Sequence, residues 1–421
     1  MTNKAEAKDI VIQAGKKLID KGLIARTWGN VSCRISAEQF AITPSGRPYE
    51  MLTPEEIVIV NIEDCSYEGD VEPSSEKGVH AEAYRKRSDV NFVIHTHQPY
   101  ASAVSPLGTD LDVSDSAVAD LVGNKVMSIP YGLPGSKKLR NNVSEVIALS
   151  NGKAYLMVSH GALCLGGDCN EAFKVVACLE QICADFINKC YLEVSGRETF
   201  NPKELRDYFV AVQTGGRGGA GKYKPGRLYS SERSGNGFKL YLESSDESPF
   251  SQGKGRTFYT SLEQDSTGSD KKDVKAAAAV HGAIYRKYED IGAIFHTLAP
   301  DILAVSKTGR SVYPLLDDFA QIIGTSVRSA ASCSAESTGG AAENIARKMK
   351  GRSAVMLKGS GALCCGPDKG DALAVAMIMD KNCKAVIASA LFRQGKPINA
   401  LECMLMRYIY LKRYSKKAVT K

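Results

Sequence analysis

The chemistry of this sequence concentrates in a few imidazoles. Of six histidines in 421 residues, His80, His95, His97 and His160 lie in the first half, and His281 and His296 in the second. His95 and His97 close the apolar run "NFVIHTH". Residues two apart share one face of a strand, so both rings can point at one ion. His160 follows the apolar run "AYLMV" and precedes Gly161, which places it at a strand's C-terminal end, a common place for sites. A lone histidine reads as a hydrogen-bonded core residue. An HxH pair with a third histidine ahead of glycine reads as a metal site. Three imidazoles suit Zn²⁺ and leave a position for water or substrate.

The stretch "PSSEKGVH" (73–80) supplies a carboxylate. Ser74 or Ser75 can cap a helix that carries Glu76 in its first turn, four residues before His80 and on the same face. Beside a metal, Glu76 can be a fourth ligand, a base or both; with no metal it simply favours the helix dipole. The turns "TWGNVS" (27–32) and "TPSGRPY" (43–49) combine small residues, hydroxyls and glycine backbone. With the helix start at Ser74 and Ser75 they can cradle an anion, although each alone is more often just a turn.

Periodicity gives the elements that must position these groups. An amphipathic helix spans 4–22, short strands fall near 39–43 and 57–61, and a helix runs over 76–87 into a strand at 91–95. Helices follow near 98–104 and 136–150, then a strand at 154–158 and a helix at 169–189. Short strands mixed with helices make a layered α/β domain. The pattern then recurs. "HAEAYRKRSDVNFVIHTH" (80–97) matches "HGAIYRKYEDIGAIFHTL" (281–298), and "KAYLMVSHGALCLGGD" (153–168) matches "SAVMLKGSGALCCGPD" (353–368), at offsets of 201 and 200 residues. Near-constant spacing means two copies of one domain. The boundaries read as 1–195, a linker and loop region over 196–237, and 238–421. Within that region "GRGGAGK" (216–222) misses a P-loop: Tyr223 stands where Ser or Thr should hold magnesium, and Pro225 breaks the helix that must follow.

Composition fits a soluble globular chain, with 43% hydrophobic and 24% charged residues. No apolar run reaches the roughly 20 residues of a membrane helix, and the N-terminus alternates charged and apolar residues rather than forming a signal peptide. A cytoplasmic protein without membrane contact is expected. The twelve cysteines form no CxxC pair and several sit in apolar runs, so buried reduced thiols are expected. A net charge of +7 suits an anionic small substrate; no aromatic-interleaved basic helix points to nucleic acid.

Taken in order, "GNVS", "ITPSGRPYEMLTPEEIV", "PSSE", "HTH" and "SHGAL" make the first copy resemble the class II aldolase/adducin family, in its L-fuculose-1-phosphate aldolase-like branch, over about residues 5–190. The resemblance implies two tandem three-layer α/β/α domains, each around a mostly antiparallel sheet. It implies one Zn²⁺, or another divalent metal, per chain on His95, His97 and His160, with Glu76 as acid/base. It implies Gly29, Asn30, Ser45, Gly46, Ser74 and Ser75 around a substrate phosphate. The implied reaction makes or breaks a C–C bond in a ketose phosphate; a 4-epimerase or decarboxylase of the same fold and a non-catalytic adducin-like assembly protein are the alternatives. Glutamate rather than aspartate at position 76 leans toward the aldolase.

Two departures stand out. The family's aldolases use a tyrosine from a neighbouring subunit as a second acid, and Ser116 stands at that position here, with Asp112 and Asp115 nearby. The second copy has Leu298, Ser360 and Ala277 where the first has His97, His160 and Glu76, so it is expected to hold no metal. Family sites lie between subunits, so the second copy can stand in for the neighbour, with Tyr313, Asp317 or Asp318 as the candidate acid. Two chains would then rebuild a pseudo-tetramer.

Overall fold

A computed structural model of the chain describes residues 2–23, 29–216, 229–242, 256–263, 271–332 and 339–414. The first lobe builds one sheet from β1 (Asn30–Arg34), β2 (Gln39–Ile42), β3 (Val58–Asn61), β4 (Phe92–Thr96), β5 (Leu111–Asp112), β6 (Lys125–Ile129), β7 (Ala154–Met157) and β8 (Gly161–Gly166). Their order is β3-β2-β1-β4-β8-β7-β6-β5, antiparallel throughout except for β6 with β7. The second lobe uses β9 (Tyr229–Ser234), β10 (Gly237–Leu242), β11 (Thr257–Ser261), β12 (Ala293–Thr297), β13 (Ser329–Ala330), β14 (Ala354–Leu357) and β15 (Ala362–Gly366). Their order, β11-β10-β9-β12-β15-β14-β13, repeats the first with one parallel pair at the same place.

Strand alternation divides the side chains between two faces. In the first lobe Phe92, Ile94, Leu156 and Cys164 face the helices Lys4–Asp20 and Cys169–Ser195. Val93, Tyr155, Leu163 and Leu165 face the helices Lys77–Lys86 and Lys137–Ala148. This is the expected α/β/α sandwich. The second lobe covers its outer face with Lys272–Lys287 and Gly339–Lys348, and its inner face with Lys369–Phe392. The inner faces of both lobes merge into one apolar core, in which Phe186 and Phe392 stack at 4.6 Å. Full burial of an apolar side chain contributes about 1.5–3 kcal/mol, and this core buries many from both lobes, so the lobes are fused by a core rather than tethered.

The expected linker over 196–237 is not linker throughout. It contains the helix Pro202–Thr214, capped by Asn201, and β9. Arg206 of that helix reaches Asp301 of the second lobe at 2.6 Å. A mixed polar pattern in β9, "YSSERS", carries little apolar periodicity, so sequence alone passed over it. The repeat therefore extends to the first three strands, not only to the later blocks. Of the near-P-loop, residues 217–222 lie outside the described residues. The eleven described cysteines are free thiols. Among the described residues no helix is long and apolar enough to cross a membrane.

Candidate metal centre

β4 lies at the middle of its sheet, between β1 and β8. His95 is its penultimate residue and pairs with Leu163 and Asn30. His97 lies one residue past the strand end, before Pro99 opens the helix Pro99–Val104. His160 sits in the tight turn from β7 to β8, just after Ser159 in the left-handed region at φ 59°. Gly161 must be glycine: a Cβ there would lie 2.3 Å from the Thr96 carbonyl oxygen. That close approach carries the His160 turn onto the end of β4.

The three rings converge through Nε2. His95 Nε2 lies 3.0 Å from that of His97 and 3.0 Å from that of His160. The Nδ1 of His95 faces the Ala162 carbonyl at 2.9 Å, and the Nδ1 of His160 faces the carboxylate of Asp317. Both acceptors assign the ring proton to Nδ1, so lone pairs are left at Nε2. Glu76 adds Oε2 at 3.2 Å from His95 Nε2 and Oε1 at 2.9 Å from His160 Nε2, the latter without the alignment of a hydrogen bond. Lone pairs and carboxylate oxygens packed this closely repel one another unless positive charge lies among them, as a cation or as a second proton on His160, whose pKa burial would lower but Asp317 and Glu76 carry well above the usual imidazole value. Ligand atoms of a tetrahedral zinc are about 3.3 Å apart, given Zn–N lengths near 2.0–2.1 Å. The donor set of three imidazoles and a carboxylate thus fits a divalent metal in chemistry and in spacing.

Glu76 is the N-cap residue of Lys77–Lys86, but its side chain makes no capping bond; its N–H instead donates to Ser74 Oγ at 3.3 Å. The carboxylate is aimed by a buried chain. Tyr84 OH and Ser32 Oγ are 2.7 Å apart, and Ser32 Oγ lies 2.6 Å from His80 Nδ1. His80 Nε2 meets Asn30 Oδ1, and Asn30 Nδ2 donates to Glu76 Oε2 at 3.0 Å. Asn30 Oδ1 can only accept and its Nδ2 only donate, so every direction in the chain is fixed. Burial keeps His80 neutral, with its pKa down at about 4. Burial alone would raise the Glu76 carboxyl, but His95, His160 and Asn30 outweigh it and hold it well below the usual carboxylate range.

The second lobe reaches this centre with the helix Asp317–Ile322. Asp317 contacts His160, and its backbone N–H donates to the Ser159 carbonyl at 2.9 Å. Asp318 Oδ2 lies 3.5 Å from His97 Nδ1 and is held by Lys381. Tyr313 does not join them; its ring is 55% exposed. Lys381, from the helix Lys369–Phe392, carried no signal in the sequence, because its match in the first copy is an ordinary glutamine. Tyr131 was also missed. Its hydroxyl is buried without a partner, and burial, with Asp317 nearby, keeps it protonated. Ser116 is exposed at the start of the helix Ser116–Val122.

The anion-binding turns come together beside Glu76. Pro44 bridges Pro73, Ser45 N–H donates to Glu72 O, and Ser74 N–H donates to Thr43 O. These two N–H groups are therefore spent on the framework. Asn30 is spent on Glu76 and His80, and Gly29 O accepts from Tyr49 OH at 2.5 Å. The exposed Gly46 and Ser75 and the half-buried Ser45 remain at the open rim. Thr27 and Trp28 lie outside the described residues.

The corresponding place in the second lobe is filled differently. His296 Nε2 donates to the Ser360 carbonyl at 2.8 Å. Leu298 packs over Gly361, where a Cβ would lie 2.9 Å from its Cδ2. Ala277 faces the outer core.

Comparison with known proteins agrees with this architecture. The family described as class II aldolase and adducin N-terminal domain matches residues 9–187 and again 255–387. A 5-deoxy-D-ribulose 1-phosphate aldolase of Bacillus thuringiensis serovar kurstaki is 36% identical over 175 residues, 41% of this chain and 80% of that protein. The L-fuculose phosphate aldolase of Escherichia coli K12 is 38% identical over 142 residues, 34% of this chain and 64% of that enzyme. A 3-oxo-tetronate 4-phosphate decarboxylase of Haemophilus influenzae is 30% identical, over 41% of this chain and 82% of that enzyme. Among solved structures, the L-fuculose-1-phosphate aldolase of Thermus thermophilus is 25% identical with a TM-score of 0.40, covering 46% of this chain and 98% of that one. With the family matched twice over most of its length, this chain belongs to the class II aldolase and adducin N-terminal domain family, as a tandem pair.

Proposed function

We propose that the chain is a divalent-metal-dependent aldehyde-lyase that makes or breaks a C–C bond in a ketose phosphate. The observation that carries this reading is the convergence of His95, His97 and His160 through Nε2, with Glu76 beside them. One Zn²⁺ or similar dication on those imidazoles would supply the positive charge that stabilises an enediolate. Glu76 is placed to move the proton at the carbon next to the carbonyl. Asn30, fixed by His80, orients the Glu76 carboxylate. Ser45, Gly46 and Ser75, at the rim beside the N-terminus of Lys77–Lys86, would receive the substrate phosphate, with Gly29, Asn30 and Ser74 shaping the cradle from behind. Relatives named as aldolases of two sugar phosphates support this choice of substrate class. Two chains would assemble the four lobes of a pseudo-tetramer in the cytoplasm.

A decarboxylase is the second reading, favoured by the relative that bears that name. Loss of CO₂ from a 2-hydroxy-3-oxo acid leaves the same kind of enediolate, so the same residues serve. A purely structural, adducin-like role would leave the buried triad and its aimed carboxylate without a purpose. The test is metal analysis of the full chain, followed by incubation with ketose 1- and 5-phosphates and 3-oxo acid phosphates. Release of two carbonyl fragments is the expected outcome. Release of CO₂ moves the assignment to the decarboxylase, and an inverted but intact carbon skeleton moves it to an epimerase.

A further inference from the structure

The second lobe has lost its own imidazoles, yet it places two carboxylates and an ammonium against those of the first. We infer that Asp317 is the positioning carboxylate for His160, and that Asp318 with Lys381 plays the same part for His97, so the metal centre of the first lobe is completed by the second. This rests on the reading of His95, His97 and His160 as metal ligands.

A ligating histidine usually gives its other ring N–H to a carboxylate or carbonyl, which fixes its tautomer and makes it a stronger donor. Two of the three rings find such a group here, and the third has a carboxylate close by. For His95 it is Ala162 O, from the same lobe. For His160 it is Asp317; beside His97, Asp318 Oδ2 lies 3.5 Å from an Nδ1 that makes no hydrogen bond, so Asp318 acts there through its charge. Asp317 acts twice, because its backbone N–H also holds the Ser159 carbonyl in the left-handed turn that aims His160. Lys381 Nζ grips Asp318 and lies 3.4 Å from the His97 carbonyl oxygen, tying the same residue from its backbone side.

The charges argue the same way. Asp317 is fully buried, and Asp318 is 2% exposed; each keeps one oxygen without a partner. Buried carboxylates persist when opposite charge compensates them. With Glu76, three carboxylates face one ammonium, Lys381. With the three imidazoles neutral, as metal ligands are, two negative charges remain, which a dication cancels. A lobe kept only as packing would have no need of this arrangement. His97 and the two aspartates also lie close enough to hold an ion themselves. The carboxylate oxygens nearest the rings are, however, already engaged with His160 and Lys381, so positioning accounts for more of the contacts.

The experiment titrates zinc alone into the full metal-free chain against a chromophoric chelator, beside a thermal melt of the same metal-free chain. D317N keeps the shape of the side chain and removes its charge. It is expected to weaken zinc binding by about 10–100-fold, with D317E recovering part of the loss and the melt little changed. D318N and K381M are expected to weaken binding by smaller factors. At saturating cobalt(II) the D317N chain is expected to show a shifted visible spectrum, which a role in packing alone would not produce. Wild-type zinc affinity in D317N, while H160A loses zinc, overturns the inference and leaves the triad standing. Should D317N not fold, wild-type affinity in both D318N and K381M overturns it instead. Wild-type zinc binding by H160A removes the reading of the triad, and this inference with it.

Discussion

In the first lobe Ser32 joins His80 to Tyr84, and in the second Ser231 joins His281 to Tyr285, with matching distances near 2.6–2.9 Å. Arg34 and Arg233 each bind three backbone carbonyls behind that tyrosine. The lobes thus share a buried polar brace. They part beyond the histidine. His80 continues through Asn30 to Glu76, whereas the second lobe has Tyr229 and Ala277 at those positions and so offers His281 no matching carboxylate there. One histidine of each lobe thus belongs to the fold, and only in the first lobe do three others converge as the proposed metal ligands. A buried hydrogen-bonded network is expensive to break, and the second lobe has the brace without the imidazole triad.

The contrast is broken or sharpened by mutation. The largest effect is expected at the triad. H95A or H160A should abolish zinc binding and C–C cleavage, while H296A leaves both intact. One zinc per wild-type chain is expected by atomic absorption, and two would show that the second lobe is not silent. Next, E76Q should retain zinc and lower kcat by about 10²–10⁴-fold, the range of a lost general acid/base. The brace provides a finer comparison. H80A and H281A should each cost about 1–3 kcal/mol in denaturant unfolding; only H80A should also lower kcat, because only His80 is linked to Glu76, the proposed acid/base. Equal kinetic effects from the two would remove the distinction drawn here.

The smallest effect concerns matched carboxyls at the inner helices. Glu180 accepts the N–H groups of Tyr100 and Ala101 at the start of Pro99–Val104. Its counterpart Asp380 lies beside Asp301, and burial together with that neighbour raises its pKa from 3.8 to about 7. The folded chain therefore holds a proton there that the unfolded chain releases. Between about pH 4 and pH 7 this group makes stability fall as pH rises. D380N should flatten that slope by an amount on the order of 1 kcal/mol, read from unfolding at pH 5 and pH 7.

Much of the site was legible in residue types and spacing. HxH, a histidine before glycine, and a glutamate four residues before another histidine gave the members of the centre. Their absence at Leu298, Ser360 and Ala277 was equally plain. Tyr313 was read as a candidate acid because it lies in the right segment, and its ring points to solvent. Asn30 was read as a phosphate ligand, and its amide is turned to Glu76 and His80. Both cases concern where a side chain points, which neighbours decide and residue type does not. Lys381 and Tyr131 were passed over because their meaning comes from a partner far away in the chain. β9 was missed because its pattern is polar, while its pairing with β10 and β12 is set by the sheet.

By itself, then, the sequence determined that the chain is a duplicated α/β unit of this family with one set of imidazoles, because periodicity, motif spacing and repeat offset are local properties written residue by residue. Only the tertiary structure decided that the second lobe fuses its core to the first and brings Asp317, Asp318 and Lys381 to the rings. Contacts between residues more than 150 positions apart depend on how two folded surfaces pack, and no short-range pattern encodes that.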